Sequence, residues 1–314
     1  MRYDTVIVGG GFAGLQAAIQ LGRYRHQVLV IDAGGGRSSL CRSYHNILGY
    51  PDGVSGLALR NIGKRQADAL GVRFAEHRVR TIRKESEGFL IVCGGADGNE
   101  EERLYHALTV LVATGVSDRL PEVPGLLPCL GLSVYVCPDC DGYQVLDRRT
   151  VVMGSGDVGA AMAWTLGYWT RDIVYINHEQ KPIADSWIRK LADRRVELVN
   201  ETIREVLTRG DPREGCFAGV ATETGAQVLG ERGFVAFGGN AVHSDIVQEL
   251  GVERMENKHI VTDPRSKATN VPGIWAAGDI GVHAEQVTIA MGEGSQAAIW
   301  IHKELLSRKP GEQK

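Results

Sequence analysis

The stretch YDTVIVGGGFAGLQAAIQLGRYRHQVLVIDA, Tyr3 to Ala33, decides the fold of this 314-residue chain. Its pattern predicts a strand, Tyr3–Val8, followed by a GxGxxG loop with Gly9, Gly11 and Gly14. A helix, Ala13–Leu21, and a second strand, Gln27–Ile31, come next, and the acid Asp32 closes the segment. Asp32 lies 18 residues after Gly14. In this arrangement the glycines let the backbone approach a pyrophosphate at the helix N-terminus, and the acid binds a ribose hydroxyl. We therefore predict a dinucleotide site at the start of the chain.

The same pattern recurs in RTVVMGSGDVGAAMAWTLGYWTRDIVYINHE, Arg149 to Glu179. A predicted strand, Val151–Met153, leads into a second glycine loop, and a helix from Ala160 and a strand, Ile173–Ile176, follow. Glu179 stands 20 residues after the last glycine of this loop, close to the spacing of the first acid. The loop residues that we predict to contact a second nucleotide are Gly154, Ser155, Gly156, Asp157, Val158 and Gly159. The chain therefore contains two dinucleotide-type half-domains, repeated in architecture but not in close sequence.

Two further strand-to-turn segments complete the predicted architecture, Leu108–Val116 and Val271–Val282, the second of which precedes a predicted helix. A proline cluster between positions 121 and 128 and the stretch Phe237–Ile246 are the candidate crossovers. We predict an α/β fold with two Rossmann-like, three-layer (ββα) nucleotide-binding domains, the second inserted into the first. The predicted boundaries assign residues 1–116 and 246–314 to the first domain and residues 117–245 to the second.

Composition and charge exclude several classes of function. The net charge is −3, so no basic field favours a nucleic acid or an anionic membrane as a partner. Six cysteines are too few for a secreted disulfide framework. Four glycines interrupt the apolar run from Thr5 to Leu21, which argues against a membrane span there. Asp4 precedes that run without a basic region, so no signal peptide is predicted and we expect a cytoplasmic protein.

The stretch VYVCPDCDGYQV, Val134 to Val145, contains a CxxC pair, Cys137 and Cys140, followed at once by Asp141. Such a pair can be half of a zinc site, two structural thiols or a redox disulfide. A structural zinc site needs four Cys or His ligands, typically in two close pairs, and the chain has one pair, so no metal site is predicted. A CxxC at a turn or helix start suits thiol exchange, and the acid beside it can carry the proton that this chemistry moves. We predict a redox disulfide served by a flavin.

Taken together, these motifs resemble the low-molecular-weight thioredoxin reductase family of flavoproteins, from about Tyr3 to about Leu305. The matching segments are the FAD pyrophosphate loop Gly9–Gly14 with Phe12 and Ala13, the flavin-side loop His45–Gly49 with Asn46, the segment Ala113-Thr114-Gly115, the CxxCDG motif Cys137–Gly142, the ribityl contact Gly278-Asp279, and Glu285-Gln286-Val287, which stands at the family's RQA motif with Glu in place of Arg. Asp32 and the adjacent Ala33 are further candidate FAD contacts.

The resemblance implies an FAD domain built from both chain ends, a nucleotide domain between them, and a homodimer. It implies that Cys140 faces the flavin, that Cys137 attacks the disulfide of a thioredoxin-like protein or another disulfide substrate, and that Asp141 serves as acid and base. An Asp at this last position favours a protein-disulfide reductase over the oxidase relatives that often carry His there.

The sequence departs from the family where the second nucleotide strand ends. Members that use NADPH carry a basic HRR stretch whose arginines hold the 2′-phosphate, whereas this chain has Asn177, His178 and Glu179. Loss of two charge-assisted hydrogen bonds costs about 3–6 kcal/mol, so NADPH is disfavoured unless Lys181 or Arg189 reaches the phosphate. Three possibilities fit this site. NADH or a second FAD, each with an unphosphorylated ribose, could bind there, or the site could be unused and electrons could come from ferredoxin. NADH or a second FAD is preferred to NADPH.

Three other functions stay open on the sequence alone. A flavin-dependent dithiol oxidase would use the same CxxC to form disulfides in a small substrate. A conventional NADPH thioredoxin reductase would need another source of positive charge at the ribose. A redox-sensing, nucleotide-binding scaffold would keep the fold without turnover, although the motifs on the flavin side are complete.

Overall fold

A computed structural model describes residues 2–94, 102–211, 215–282 and 285–308 of the chain. Its strands, in chain order, are β1 (Arg2–Val8), β2 (Val28–Ile31), β3 (Arg73–Ala75), β4 (Arg78–Glu85), β5 (Gly88–Gly94), β6 (Arg103–Val112), β7 (Val116–Ser117), β8 (Val134–Tyr135), β9 (Thr150–Gly154), β10 (Ile173–Asn177), β11 (Glu197–Val199), β12 (Ile203–Thr208), β13 (Phe217–Thr222), β14 (Gln227–Leu229), β15 (Arg232–Ala236), β16 (Ala241–Val242) and β17 (Ile274–Ala276). The α-helices are α1 (Phe12–Arg23), α2 (Gly56–Asp68), α3 (Leu126–Cys129), α4 (Pro138–Asp141), α5 (Gly156–Leu166), α6 (Asp185–Asp193) and α7 (Val287–Arg308). Short 3₁₀ helices cover Arg37–Ser39, Gly142–Val145 and Asp245–Leu250.

The chain forms two compact units. The first consists of Met1–Ser39, Ser55–Ser117 and Ala241–Lys314, and the second of Leu40–Val54 and Asp118–Asn240. The predicted boundaries assign residues 40–54 to the first domain, so the two divisions differ there, and the end of that predicted domain, residues 309–314, lies outside the described residues. The nucleotide-binding roles assigned to the two domains stay predictions.

The first unit is built on a seven-stranded sheet of order β3-β2-β1-β6-β5-β4, in which β17 also pairs with β6. Strands β1, β2, β3, β6 and β17 run parallel, and β4 and β5 form an antiparallel extension. The central parts of the parallel strands, Val6–Val8, Val28–Ile31, Val110–Val112 and Ile274–Ala276, are apolar and buried, as sheets covered on both faces require. Helix α7 packs closely on α1, because a Cβ at Gly294 would collide with the backbone carbonyl oxygen of Ala13.

The second unit has a parallel five-stranded sheet of order β11-β10-β9-β15-β8 and an antiparallel sheet of order β12-β13-β14. Alternate residues of β9 enter different cores: Val151 and Met153 pack with residues of the antiparallel sheet, and Val152 packs with residues of α5 and α6. This is the three-layer ββα arrangement, so the predicted fold class is confirmed. No helix in the described ranges is long and apolar enough to cross a lipid bilayer.

Local differences from the predicted elements have clear causes. The predicted strand-to-turn segment Leu108–Val116 contains the end of β6 and a turn at Gly115, which has a positive φ of 64°, and β7 begins beyond the turn at Val116. The helix predicted from Ala160 begins at Gly156, so the glycine loop itself forms its first turn.

Candidate active site and nucleotide sites

The first glycine loop is shaped to bring its backbone close to a ligand. Gly9 has φ of +109°, and a Cβ at Gly14 would collide with the Gly9 carbonyl oxygen, so both positions require glycine. Gly11 has open space beside it. Helix α1 begins at Phe12 with no side-chain cap from the described residues and no acid in its first turn, and the dipole at such a helix start favours an anion.

Asp32, at the end of β2, lies in a cavity of about 550 Å³ within the first unit. The Arg60 guanidinium on α2 is 2.5 Å from its carboxylate. The lining residues are Gly10, Leu15, Asp32, Ala33, Gly34, Leu57, Arg60, Asn61, Lys64, Phe74, Ala75, Glu76, His77, Arg78 and Gly94. The predicted contacts Asp32 and Ala33 therefore share one cavity next to the glycine loop, and its volume suits the adenosine end of a dinucleotide. Arg60 was not predicted, because nothing in its local sequence marks it.

The Gly278-Asp279 turn is held by a buried ion pair. The Gly278 N–H donates to Glu293 Oε2 at 2.9 Å, and Lys267 Nζ lies 2.8 Å from Glu293 Oε1. The Glu293 side chain is buried on α7, where an unpaired carboxylate would be costly. Glu293 thus fixes the peptide that precedes Asp279, a positioning role that the sequence did not reveal.

Arg37 joins the acidic residues of the predicted flavin-binding segments. Its guanidinium is 3.4 Å from Asp279 Oδ2 and forms a short ion pair with Glu285. His259 Nε2 lies 4.0 Å from the other oxygen of Glu285. Arg37 therefore places a positive charge beside Asp279 and Glu285 in the first unit. Gln286 and Val287 follow directly, at the start of α7.

The Ala113-Thr114-Gly115 segment connects β6 to β7 beside the first glycine loop. The Ala113 N–H donates to the Val8 carbonyl at 2.8 Å, and its own carbonyl lies against Gly9. The Thr114 hydroxyl donates to the carbonyl of His243 at 2.8 Å. The first unit therefore brings together the loop residues Gly9–Gly14 and Ala113–Gly115. Asn46 is exposed and belongs to the second unit, so its contact with FAD stays a prediction.

Cys137 and Cys140 form a disulfide across α4, with their Cα atoms 5.3 Å apart. The Cys140 N–H donates to Cys137 Sγ at 3.2 Å. Because a hydrogen bond to the charged form of a group favours that form, this amide stabilises a Cys137 thiolate once the disulfide is reduced. Both cysteines and Asp141 are partly exposed, so a partner can reach them.

The turn after the disulfide rests on an aromatic ring. Any Cβ at Gly142 would lie 2.6 Å from the Trp169 ring, so the backbone that carries Asp141 packs directly on that indole. Asp147 N–H donates to the Trp169 carbonyl at 3.2 Å, which fixes the far end of the same segment. Trp169 therefore positions the redox segment.

The second glycine loop, between β9 and α5, contains a buried hydroxyl without a hydrogen-bond partner. Ser155 precedes α5 and is 4% exposed, and its Oγ has no partner of acceptable geometry in the described part of the chain. It is close enough to Glu179 to help lower the pKa of that carboxyl. Asp157 is engaged elsewhere, since its carboxylate accepts the Ala184 N–H at 2.8 Å. A buried hydroxyl at a helix start is well placed for a phosphate oxygen.

The three residues at the end of β10 take different roles. Asn177 is buried, and its side chain accepts the Gly156 N–H at 2.9 Å and donates to the Lys181 carbonyl at 2.8 Å. His178 Nδ1 accepts the Ile203 N–H at 2.9 Å, and burial lowers the pKa of its ring. Asn177 therefore supports the loop from inside the protein, and His178 bonds to the start of β12. Direct contact of either residue with a nucleotide stays a prediction.

The Glu179 side chain is partly exposed and is surrounded by two cations. It forms a bidentate pair with Arg119, whose Nη1 lies 3.4 Å from Oε2 and whose Nη2 makes a short contact with Oε1. Lys181 Nζ is 2.8 Å from Oε2. Hydrogen bonds from Arg119 and then Lys181 lower the pKa of Glu179 to about 2, so it is ionised at neutral pH. The sequence analysis named Lys181 only as a cation that could reach a 2′-phosphate, and it did not anticipate the contact of either Lys181 or Arg119 with Glu179.

Within the described ranges, 2–94, 102–211, 215–282 and 285–308, no group of three or more His, Cys, Asp or Glu side chains is arranged to hold a metal ion.

Comparisons with known proteins agree with the geometry of both units. A family model described as pyridine nucleotide-disulphide oxidoreductase matches residues 3–294. The thioredoxin reductase of Treponema pallidum (strain Nichols) is 32% identical over 306 residues, which cover 94% of this chain and 95% of the relative. The crystal structure of an oxidoreductase from Agrobacterium tumefaciens is similar with a TM-score of 0.79 at 28% identity, covering 98% of this chain and 100% of that one. The atypical thioredoxin reductase TRi from Desulfovibrio vulgaris Hildenborough has a TM-score of 0.53 at 27% identity, with the same coverage.

Proposed function

This chain belongs to the pyridine nucleotide-disulphide oxidoreductase family, among its low-molecular-weight thioredoxin reductase-like members, and from this premise we propose the path of its electrons. It is a flavoprotein disulfide oxidoreductase. We propose that two electrons from a dinucleotide without a 2′-phosphate pass through FAD to the Cys137–Cys140 disulfide and on to a disulfide of a thioredoxin-like protein. The observation that carries this proposal is a CxxC disulfide, followed by Asp141, in the same compact unit as a second glycine loop.

The first unit has the features that FAD needs. The N-terminus of α1 with Gly11 and Phe12 suits the pyrophosphate, and the cavity around Asp32 suits the adenosine end. The hydrogen bond from the Gly278 N–H to Glu293 on α7 fixes the turn that carries Asp279. In this position Asp279 would accept a hydrogen bond from a ribityl hydroxyl of FAD. The chemistry that FAD supplies in this class is two-electron transfer between a donor and a disulfide.

The two cysteines and Asp141 would carry out the thiol chemistry. Two electrons and two protons convert the disulfide into two thiols. The Cys137 thiol passes its proton to the Asp141 carboxylate, and the resulting thiolate, stabilised by the Cys140 N–H, attacks one sulfur of the partner disulfide; the other partner sulfur leaves as a thiolate and takes that proton from Asp141. The Cys140 thiol then gives its proton to Asp141 as its sulfur attacks Cys137 Sγ, which restores the internal disulfide, and the second partner sulfur leaves and takes this proton, so the partner is released as a dithiol. The family resemblance implies this order, with Cys140 facing the flavin and Cys137 attacking the partner disulfide.

The second glycine loop supports a nucleotide donor. The unpaired Ser155 hydroxyl at the start of α5 offers a hydrogen bond to a phosphate oxygen. Ionised Glu179 accepts a hydrogen bond from a free ribose hydroxyl and repels a phosphate at the same position. NADH and a second FAD both have the required ribose. Donation by ferredoxin, the homodimer and the cytoplasmic location stay predictions.

The test begins with the full chain loaded with FAD and a count of FAD per chain. The protein is then mixed anaerobically with NADH, NADPH or reduced ferredoxin while the flavin absorbance is followed. We expect one FAD per chain with fast bleaching by NADH, or two FAD per chain if the second site holds a flavin. Fast bleaching by NADPH and none by NADH would contradict the proposed donor.

A further inference from the structure

Two cations lie at the position where a dinucleotide's 2′ substituent is expected, and neither belongs to a glycine-loop motif. Arg119 and Lys181 both contact the carboxylate of Glu179. All three side chains reach the surface, with exposed fractions of 43%, 56% and 23% for Arg119, Lys181 and Glu179. Two positive charges and one negative charge therefore form a compact group, which we call the ribose triad, at the carboxyl end of β10.

Arg119 is held in place independently of Glu179. Its backbone N–H donates to Asn240 Oδ1 at 3.1 Å. Its guanidinium lies 5.8 Å from the centre of the Phe237 ring, with Nη1 3.5 Å from the Phe237 carbonyl oxygen. The ring and carbonyl contacts keep the cation near the end of β10 even without the carboxylate. The arginine is thus pre-organised to bind an anion, and the Glu179 carboxylate is the anion it pairs with.

We propose that the ribose triad is a 2′-phosphate subsite that Glu179 keeps closed, and that this acid is the residue that determines nucleotide specificity. The inference rests on the proposed binding of a dinucleotide at the second glycine loop. A 2′-phosphate must displace the carboxylate from both cations while that charge stays close by. A 2′-hydroxyl only donates a hydrogen bond to the carboxylate and leaves both ion pairs intact. Removal of the acidic charge should therefore open the subsite to NADP.

The test compares the binding of NAD⁺ and NADP⁺, which differ only in the 2′-phosphate, to the full FAD-loaded chain by calorimetry. The measured quantity is the ratio of the two dissociation constants, which does not depend on turnover. Glu179→Gln keeps the size and an acceptor oxygen but removes the charge. We expect it to shift the ratio toward NADP⁺ by about tenfold or more, the value of one charge-assisted hydrogen bond. Glu179→Ala provides a second variant with the same expected direction.

Two kinds of variant complete the experiment. Adding Arg119→Gln and Lys181→Gln to Glu179→Gln should abolish the gain in NADP⁺ binding, because the gain depends on the released cations. Glu231→Gln is the matched control: Glu231 is an exposed acid of the same unit that pairs with Arg148 at 3.3 Å, and its neutralisation should leave the ratio unchanged.

The outcomes separate this inference from the proposed function. If Glu179→Gln and Glu179→Ala bind NAD⁺ but keep the wild-type ratio, the ribose triad does not set specificity and the inference is refuted, while the nucleotide site stands. A gain that survives the loss of both cations also refutes it. If neither nucleotide binds the wild type or any variant, the proposed nucleotide site itself is wrong and the inference with it.

Discussion

Removal of the Ser155 hydroxyl tests whether the second glycine loop is shaped for a ligand. This hydroxyl is 4% exposed and has no partner of hydrogen-bond geometry among the described residues. Ser155→Ala therefore removes a buried polar group whose contact with the Glu179 carboxylate lacks the geometry of a hydrogen bond. Since an unpaired buried group destabilises the fold, the free energy of unfolding should stay unchanged or rise by about 1 kcal/mol.

The same substitution should weaken dinucleotide binding. A hydrogen bond to a charged phosphate is worth about 1.5–3 kcal/mol, so we expect the dissociation constant to rise by about 10- to 150-fold. Urea denaturation followed by circular dichroism measures the first effect, and calorimetry with NAD⁺ measures the second. Opposite effects on stability and on binding distinguish a ligand-binding hydroxyl from a structural one.

Ser133 in the same unit provides the matched control. It is also buried, but its hydroxyl donates to the Gly215 carbonyl and accepts the Phe217 N–H at 3.0 Å. Ser133→Ala should lower the free energy of unfolding by about 1–3 kcal/mol and leave nucleotide binding unchanged. If Ser155→Ala destabilises the protein as much as Ser133→Ala and leaves the affinity unaltered, the reasoning about the loop is refuted.

Three further predictions concern other parts of the site. Cys140→Ser should abolish the reoxidation of reduced flavin by a thioredoxin disulfide in anaerobic stopped flow, whereas substitution of the exposed Cys216 should leave it unchanged. Unchanged kinetics in Cys140→Ser would exclude a role of Cys140 in electron transfer. Gly14→Ala should lower both stability, by about 1–3 kcal/mol, and bound FAD, because its Cβ collides with the Gly9 carbonyl; a fully loaded, equally stable variant would contradict this. The cationic neighbours of Glu179 lower its pKa from 4.5 to about 2. The difference in free energy of unfolding between wild type and Glu179→Gln should therefore be constant above about pH 5 and vanish as the pH falls toward 2. Urea denaturation at several pH values tests this, and a difference that persists at pH 2 would argue against the ion pairs.

The strands and the glycine loops were predictable because their signals are local. A buried strand, a glycine turn and a helix start follow one another at fixed spacing, so Gly9–Gly14 and Gly154–Gly159 were found without knowledge of tertiary structure. The disulfide of Cys137 and Cys140 was predictable for the same reason. In each case one short segment supplies all the groups that matter.

The charges around the acids were harder to predict, because their partners are distant in sequence. Arg60 reaches Asp32 from a helix 28 residues away, and Arg119 reaches Glu179 across 60 residues. No spacing rule connects such pairs, since tertiary packing brings them together. The absence of the HRR arginines therefore showed which cations were missing at the ribose, but not that Arg119 stands near the same place.

The two residues before Glu179 illustrate a different limit. The resemblance to the family implies that Asn177 and His178 contact the second nucleotide, and the structure adds that their side chains bond to the backbone of the loop and of β12. A matching position in a motif identifies the strand end and not the direction of each side chain. The contact of these two residues with a nucleotide stays a prediction.

The central claim is that electrons leave the enzyme through the Cys137–Cys140 disulfide. The most direct measurement is anaerobic reduction of the FAD-loaded chain by NADH, rapid quenching with an alkylating reagent and mass spectrometry of the peptide that carries both cysteines. We predict that both thiols become alkylated on the timescale of flavin reduction and that oxidised thioredoxin, added before the quench, restores the disulfide. If thioredoxin is reduced in repeated turnovers while this peptide stays disulfide-bonded throughout, the account is contradicted.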